Sequence, residues 1–327
     1  MIIAVDVVGG DHIPDSPIGG ALIALESNPS LHILFVGPEN VTREALEGKD
    51  YDKTRVQIVD APDVVGMDES PSKAIKTKPN SSIAVGLSLH KQGKCDAFVS
   101  AGNTGALLAA STLILGRLEG VLRPTIVTYY PTIKGFRLLV DAGANVEVRP
   151  EMMVQFARMG EIYAREMMNI TNPQIGLLNV GEEEEKGTEI LKESHQLLKR
   201  LPNFIGNVEG RDLLPALADV YVCDGLVGNI LLKFGESLVV NLGTLLKHTV
   251  HQMQLPEQDA KTVFGVFQKT LKPFDPDNVG GLPFLGVAGV SLVGHGSSSP
   301  KAIHNMILNA VSMVEAKVND KIVAALH

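Results

Sequence analysis

Cysteine occurs only twice in the 327 residues, at Cys95 and Cys223. That is too few for a disulfide-stapled scaffold, and the spacing is unlike that of a metal site. An excess of basic charge is missing as well. Lys and Arg number 29 against 37 Asp and Glu, a formal charge of −8, which argues against a nucleic-acid partner. Unbroken apolar runs such as 284–293 fall short of the roughly 20 residues that a membrane-spanning helix needs. No secretory leader is expected ahead of the first strand, because residues 2–5 run straight into a charged glycine turn. These readings predict a cytoplasmic protein. Three motifs are also lacking. Without G-x-x-x-x-G-K-[ST] a P-loop nucleotide hydrolase is disfavoured, and without G-x-S-x-G so is a serine hydrolase. Gly294-His295-Gly296-Ser297-Ser298-Ser299 imitates a dinucleotide turn but lacks the third glycine, and no strand follows to carry a ribose-binding acid.

What the chain does hold is a folded α/β pattern, with 45% apolar and 20% charged residues. Apolar runs at 2–6, 31–36, 56–59, 97–99, 175–180, 204–208 and 220–223 alternate with helix-compatible segments. That alternation predicts a three-layer α/β/α arrangement around a mainly parallel sheet. Runs 125–130 and 136–140 flank Pro131-Thr132-Ile133-Lys134-Gly135 and predict a hairpin forming an antiparallel edge. Residues 150–168 and 301–318 read as helices. Residues 230–270 are strongly helical with a break at Leu255-Pro256, so a protruding helical pair is expected, spanning 230–275 within one catalytic domain of 1–327. Residues 63–80 are polar, rich in proline, and carry Lys73, Lys76 and Lys78. They read as a functional loop or lid, with a disordered surface loop as the alternative.

Six predicted strand ends carry residues able to do chemistry: Asp6, Gly10 and Asp11; Ser100, Gly102, Asn103, Thr104 and Gly105; Asp141 and Asn145; Asn179, Glu182, Glu183 and Lys186; Asp224, Gly225 and Asn229; His295, Gly296 and Ser297. In an open parallel sheet the carboxyl ends lie on one side, where ligands collect, so all six are expected on one rim. The turn after residue 99 suits an oxyanion: small residues let backbone N–H groups approach, and the following helix N-terminus carries partial positive charge. Thr104 is the expected helix cap there, and Asn103 the residue able to adopt a left-handed backbone. Asp and Asn at such ends also serve simply as caps and turn formers. His295, set among small residues, can donate to an oxyanion or move a proton near neutral pH.

Taken in order, these residues resemble one family. Its signatures are matched by Ile3-Ala4-Val5-Asp6 with Gly9-Gly10-Asp11, by Ser100-Ala101-Gly102-Asn103-Thr104-Gly105-Ala106, and by Asp141-Ala142-Gly143-Ala144-Asn145. Leu178-Asn179-Val180-Gly181-Glu182-Glu183 with Lys186-Gly187, Asp224-Gly225-Leu226-Val227-Gly228-Asn229 and Gly294-His295-Gly296-Ser297 match as well. The family is PlsX, the bacterial acyl-ACP:phosphate acyltransferases of phospholipid synthesis. Val8 departs from the family's usual Met and Leu226 from its frequent Phe, both apolar exchanges.

The resemblance implies that acyl-ACP and inorganic phosphate give acyl phosphate and free acyl carrier protein. It further implies a fold similar to isocitrate and isopropylmalate dehydrogenases and to phosphotransacetylase, a homodimer, peripheral membrane contact, and a downstream glycerol-3-phosphate acyltransferase. The helical pair would then serve the dimer and touch lipid near Met253-Gln254-Leu255-Pro256. On the residues themselves the chemistry needs a phosphate held beside an activated carbonyl and an oxyanion stabilised. Backbone amides of 102–105 and 294–297 are candidates, aided by Lys186 or Lys73, with His295, Lys186 and Asn229 as candidate catalytic groups. No cofactor and no obligatory metal are expected, although Asp141 and Asp224 would suit one if they lay close together. The rival readings are a metal- and NAD-dependent decarboxylating dehydrogenase of the same fold and a non-catalytic membrane scaffold.

Overall fold

The computed structural model describes residues 1–274 and 280–326. Its eleven strands are β1 (Ile2–Asp6), β2 (His32–Gly37), β3 (Val56–Asp60), β4 (Ala97–Ser100), β5 (Thr125–Thr132), β6 (Gly135–Val140), β7 (Ile175–Leu178), β8 (Phe204–Val208), β9 (Val220–Val222), β10 (Leu282–Leu285) and β11 (Val290–Val293). They form one sheet in the order β3-β2-β1-β4-β11-β10-β5-β6-β9-β7-β8. Pairing is antiparallel only at β11–β10, β10–β5 and β5–β6, so the sheet is mainly parallel. The hairpin β5–β6 therefore sits in the interior of the sheet, where an edge was expected. The reason is the apolar stretch 284–293, which folds back on itself as β10 and β11 and pairs with β5 from the far side.

Side-chain alternation along the strands divides the core. Ile3 and Val5 enter one apolar cluster while Ala4 between them enters the other. The first cluster is covered by α1 (Asp15–Ser27), α6 (Pro150–Met168), α7 (Glu189–Leu198), α10 (Pro300–Glu315) and α11 (Val318–Leu326). The second is covered by α4 (Ser82–Lys91) and α5 (Thr104–Ala110), the latter continuing as a π-helical turn, Ser111–Leu115. That is the three-layer arrangement expected. Close approach of α1 to α10 depends on glycine: a Cβ at Gly20 would lie 2.5 Å from Ile303 Cβ. Between β2 and β3 lies α2 (Glu39–Leu46).

Three segments differ in detail from expectation: the helix expected over 301–318 ends at Glu315, and after Lys317, at φ +52°, the chain starts again as α11. Residues 63–80 contain a short helix, α3 (Pro71–Thr77), opened by a proline at its first turn, where the missing N–H costs nothing. The helical pair is α8 (Gly225–Gln252) and α9 (Glu257–Leu271), broken at Leu255-Pro256 as predicted. Its predicted end at residue 275 lies outside the described residues. No uninterrupted apolar run of spanning length was expected. Yet α8 runs for 28 residues, and its most apolar 18-residue window has a mean hydropathy of 1.2, with 11% of that window buried. By length and composition alone that is enough to cross a membrane, because its apolar residues are interspersed with few charges.

Candidate active site

The structure gathers the predicted residues into three hydrogen-bonded groups, where a single rim was expected. The antiparallel steps at β10, β5 and β6 are the cause. They turn β6, β9, β7 and β8 to run opposite to β1, β4 and β11, so the two sets of carboxyl ends leave the sheet at opposite edges. Among the described residues no hydrogen bond or ion pair joins the first group to the other two.

The first group is built from the turns after β1, β4 and β11. Asp6 is buried, and its Oδ2 accepts from Ser100 Oγ at 2.6 Å while its Oδ1 accepts from the Val8 amide at 3.1 Å. Burial pushes its carboxyl above the ordinary carboxylate value, against hydrogen bonds from Ser100, Ser82 and the amides of Val8 and Gly9. The Gly102 amide donates to Ser100 Oγ at 3.0 Å, and the Gly294 amide donates to the Ser100 carbonyl at 2.8 Å. Gly10 has φ +111°, and the Asp11 amide donates to the Gly296 carbonyl at 2.7 Å. A Cβ at Gly9 would lie within 2.8 Å of Asp6 Oδ2, Ser100 Oγ and the Gly102 nitrogen, so only glycine lets these turns touch. His295 is exposed. Its Nδ1 accepts from the Ser297 amide at 3.3 Å and lies 2.8 Å from Ser297 Oγ, so the neutral ring keeps its proton on Nε2.

In the same group Asn103, not Thr104, caps α5: its Oδ1 accepts from the Ala106 amide at 3.0 Å. Its φ of −59° is ordinary, so the expected left-handed conformation is absent at this residue. Thr104 is exposed as the first helical residue, and Gly105 lets Pro71 pack on α5, since a Cβ there would stand 2.8 Å from Pro71 Cγ. Lys73 is exposed on α3.

The second group joins the turns after β6 and β9. Asp141 is fully buried. Its Oδ1 accepts from the amides of Ile126, Gly143 and Ala144, and its Oδ2 from the amide and the side chain of Asn145, at 2.6–3.3 Å. Burial pushes this carboxyl up and those donors oppose it. A carboxylate so occupied is a scaffold for its turn and leaves no oxygen free for substrate or metal. Asn145 also donates to the Pro124 carbonyl at 2.8 Å, and its own carbonyl accepts from the Gly225 amide at 2.7 Å. Asp224 caps α8 through the Val227 amide at 2.9 Å, and Asn229 is exposed on that helix. Among the described residues no cluster of three or more His, Cys, Asp or Glu side chains is placed to hold a metal ion.

The third group follows β7. Asn179 closes the turn by donating to the Lys186 carbonyl at 3.0 Å, while Lys186, Glu182 and Glu183 are exposed. Sequence reasoning missed three supports of this turn. Buried His195 lies 2.8 Å from Asn207 Oδ1, whose amide donates to the Glu183 carbonyl at 2.8 Å, and Arg211 pairs with Glu182 at 3.2 Å. Their separations in the chain carry no local signal: the β7–β8 pairing sets Asn207 and Arg211 beside the turn, and α7, packed on β8, brings His195.

A family model described as "Fatty acid synthesis protein" matches residues 1–321. The phosphate acyltransferase of Chlorobaculum parvum is 47% identical, covering 100% of this chain and 99% of that protein. That of Salinibacter ruber is 46% identical over 97% of this chain and 95% of its own. Among solved structures, a phosphotransacetylase from Streptococcus pyogenes superposes with a TM-score of 0.64 at 14% identity, covering 96% of this chain and 94% of that one, which shows a shared fold. With the family model matched almost end to end and relatives of this identity aligned over nearly their whole length, the chain belongs to the PlsX family of phosphate acyltransferases.

Proposed function

We propose that this chain, acting as one catalytic domain, transfers the acyl group of acyl-ACP to inorganic phosphate. The observation that carries the reading is the meeting of the glycine turns after β1, β4 and β11 around Ser100, Gly102 and Gly296. Phosphate sits against that meeting point. The amides of Thr104 and Gly105, which precede the capped Ala106, have no acceptor inside their own helix and are available to it. Lys73 supplies positive charge from α3, and exposed Asp11, beside Gly296, takes the hydrogen bond of a protonated phosphate oxygen. A phosphate oxygen attacks the thioester carbonyl, the new C–O bond forms, and the oxyanion is held by backbone N–H groups. The C–S bond then breaks, and the proton brought by hydrogen phosphate passes to the departing thiolate sulfur, while the Nε2–H of His295 donates to the oxyanion. Asp141, Asn145, Asp224 and Gly225 shape the second group, with Asn229 exposed beside it on α8, and Lys186 stands exposed on the turn of the third group.

The product, a reactive acyl phosphate, suits a downstream glycerol-3-phosphate acyltransferase. The outward apolar residues of α8 and α9, among them Phe234, Val240, Leu245 and Val266, support a homodimer contact, and exposed Met253 at the tip supports peripheral membrane contact. Purified protein given acyl-ACP and phosphate is expected to release acyl phosphate and free carrier thiol in equal amounts. Acyl-enzyme trapped in the absence of phosphate, or no acyl phosphate formed, overturns the reading. His295→Ala is expected to lower kcat about 100-fold, the scale of one oxyanion donor, with Tm unchanged because the ring is exposed.

A further inference from the structure

The side-chain amide of Asn103 is committed at both ends. Its oxygen caps α5, and its Nδ2 donates to the carbonyls of Gly66, Met67 and Glu69 at 3.2, 2.8 and 3.0 Å. The partners themselves orient the group. Turned over, it would set N–H against the Ala106 amide and oxygen against three carbonyls. The stretch it grips is knitted internally: Glu69 accepts from the Gly66 amide at 2.8 Å and pairs with Lys78, whose Nζ also reaches the Val64 carbonyl at 2.7 Å. That stretch lies against the substrate turns. A Cβ at Gly296 would stand 3.1 Å from Met67 Cε, and Pro71 lies on Gly105. Among the described residues, the hydrogen bonds joining 64–79 to those turns all come from Asn103.

We propose that Asn103 is a positioning residue, a clasp that holds 63–80 closed on the phosphate turn and so keeps Lys73 and Met67 beside the reacting groups. It does not itself touch substrate. The proposal rests on the site assigned above. Two variants separate the two ends of the amide. Asn103→Asp and Asn103→Ser each retain an oxygen able to cap α5, and each loses the NH2 donor.

Hydrogen exchange of the intact protein is expected to show amides in 63–80 exchanging about tenfold faster in both variants, with 104–110 unchanged. Steady-state kinetics are expected to show KM for phosphate rising about tenfold with kcat within about threefold, because loss of the closed population weakens binding in ground and transition state alike. Unchanged exchange in 63–80 overturns the clasp. Faster exchange with an unchanged KM overturns its part in the reaction. A wild-type protein that makes no acyl phosphate while the exchange result holds overturns the assigned activity and leaves the clasp standing.

Discussion

His90 shows how one ring can tie β11 to the loop that leads into β4. Its Nε2 accepts from the Val290 amide at 2.9 Å, so its Nδ1 must carry the proton and donate to the Cys95 carbonyl at 3.0 Å. Burial lowers its pKa, with the bond to Cys95 and the charge of Asp96 opposing. A histidine held neutral binds a proton more readily once unfolded. Its contribution is therefore fully present above the unfolded value near 6.5 and is lost as pH falls through that value toward the lower folded one. Tm is expected to fall as pH is lowered from 7 to 5, and less so in His90→Gln, followed by calorimetry. At Asp141 the prediction concerns stability. Asp141→Asn sets an NH2 against backbone donors and is expected to cost on the order of 3 kcal/mol in urea unfolding. Residue types and places were legible in the chain, since Asp6, Asp141 and Asn103 all stand at turns as expected. Their roles were not, because the partners that fill Asp141 and Asn103 include residues 15 and up to 37 positions away.

Among the elements, periodicity recovered nearly every strand and helix, down to α6 at Pro150–Met168 and the break between α8 and α9. It could not place the β5–β6 hairpin, because position in a sheet is decided by which distant strand pairs with β5, and that strand is β10, about 160 residues on. Nor did apolar content reveal α3, whose helix is short and gains its stability from packing on α5. The first turn of α8 is more exacting than either. A Cβ at Gly228 would overlap the carbonyl oxygen of Asp141, and one at Gly225 would lie 2.8 Å from both the nitrogen and the oxygen of Asn145. Gly228→Ala is accordingly expected to destabilise the fold by about 2–4 kcal/mol, despite alanine's better helix propensity, measured by chemical denaturation.

For the molecule as a whole, the reversal of strand direction at the middle of the sheet decides what one copy can bring together. It assembles the β1, β4 and β11 turns at one edge and gives the β6 and β9 turns to the other. The alternation of apolar runs with helical segments foretold the α/β class, but direction follows from three antiparallel pairings that no local pattern announces. The same scale holds the apolar length of α8, where Val240 and Leu245 are 69% and 62% exposed. Replacing both with Asp is expected to abolish the proposed dimer contact, read by sedimentation, without unfolding the core, since neither side chain reaches it. One further consequence lies in how α8 is rooted. Its base is wedged against Asp141 and Asn145 with no slack for a side chain, so the rod cannot pivot there without dragging that loop along. Whatever grips the outer half, a second copy or a lipid surface, thereby pulls on a lever whose short arm is the 141–145 turn. Amide exchange in 141–145 should slow on vesicle binding or on a cross-link between paired α8 helices, and a loop indifferent to both would show the joint to be loose.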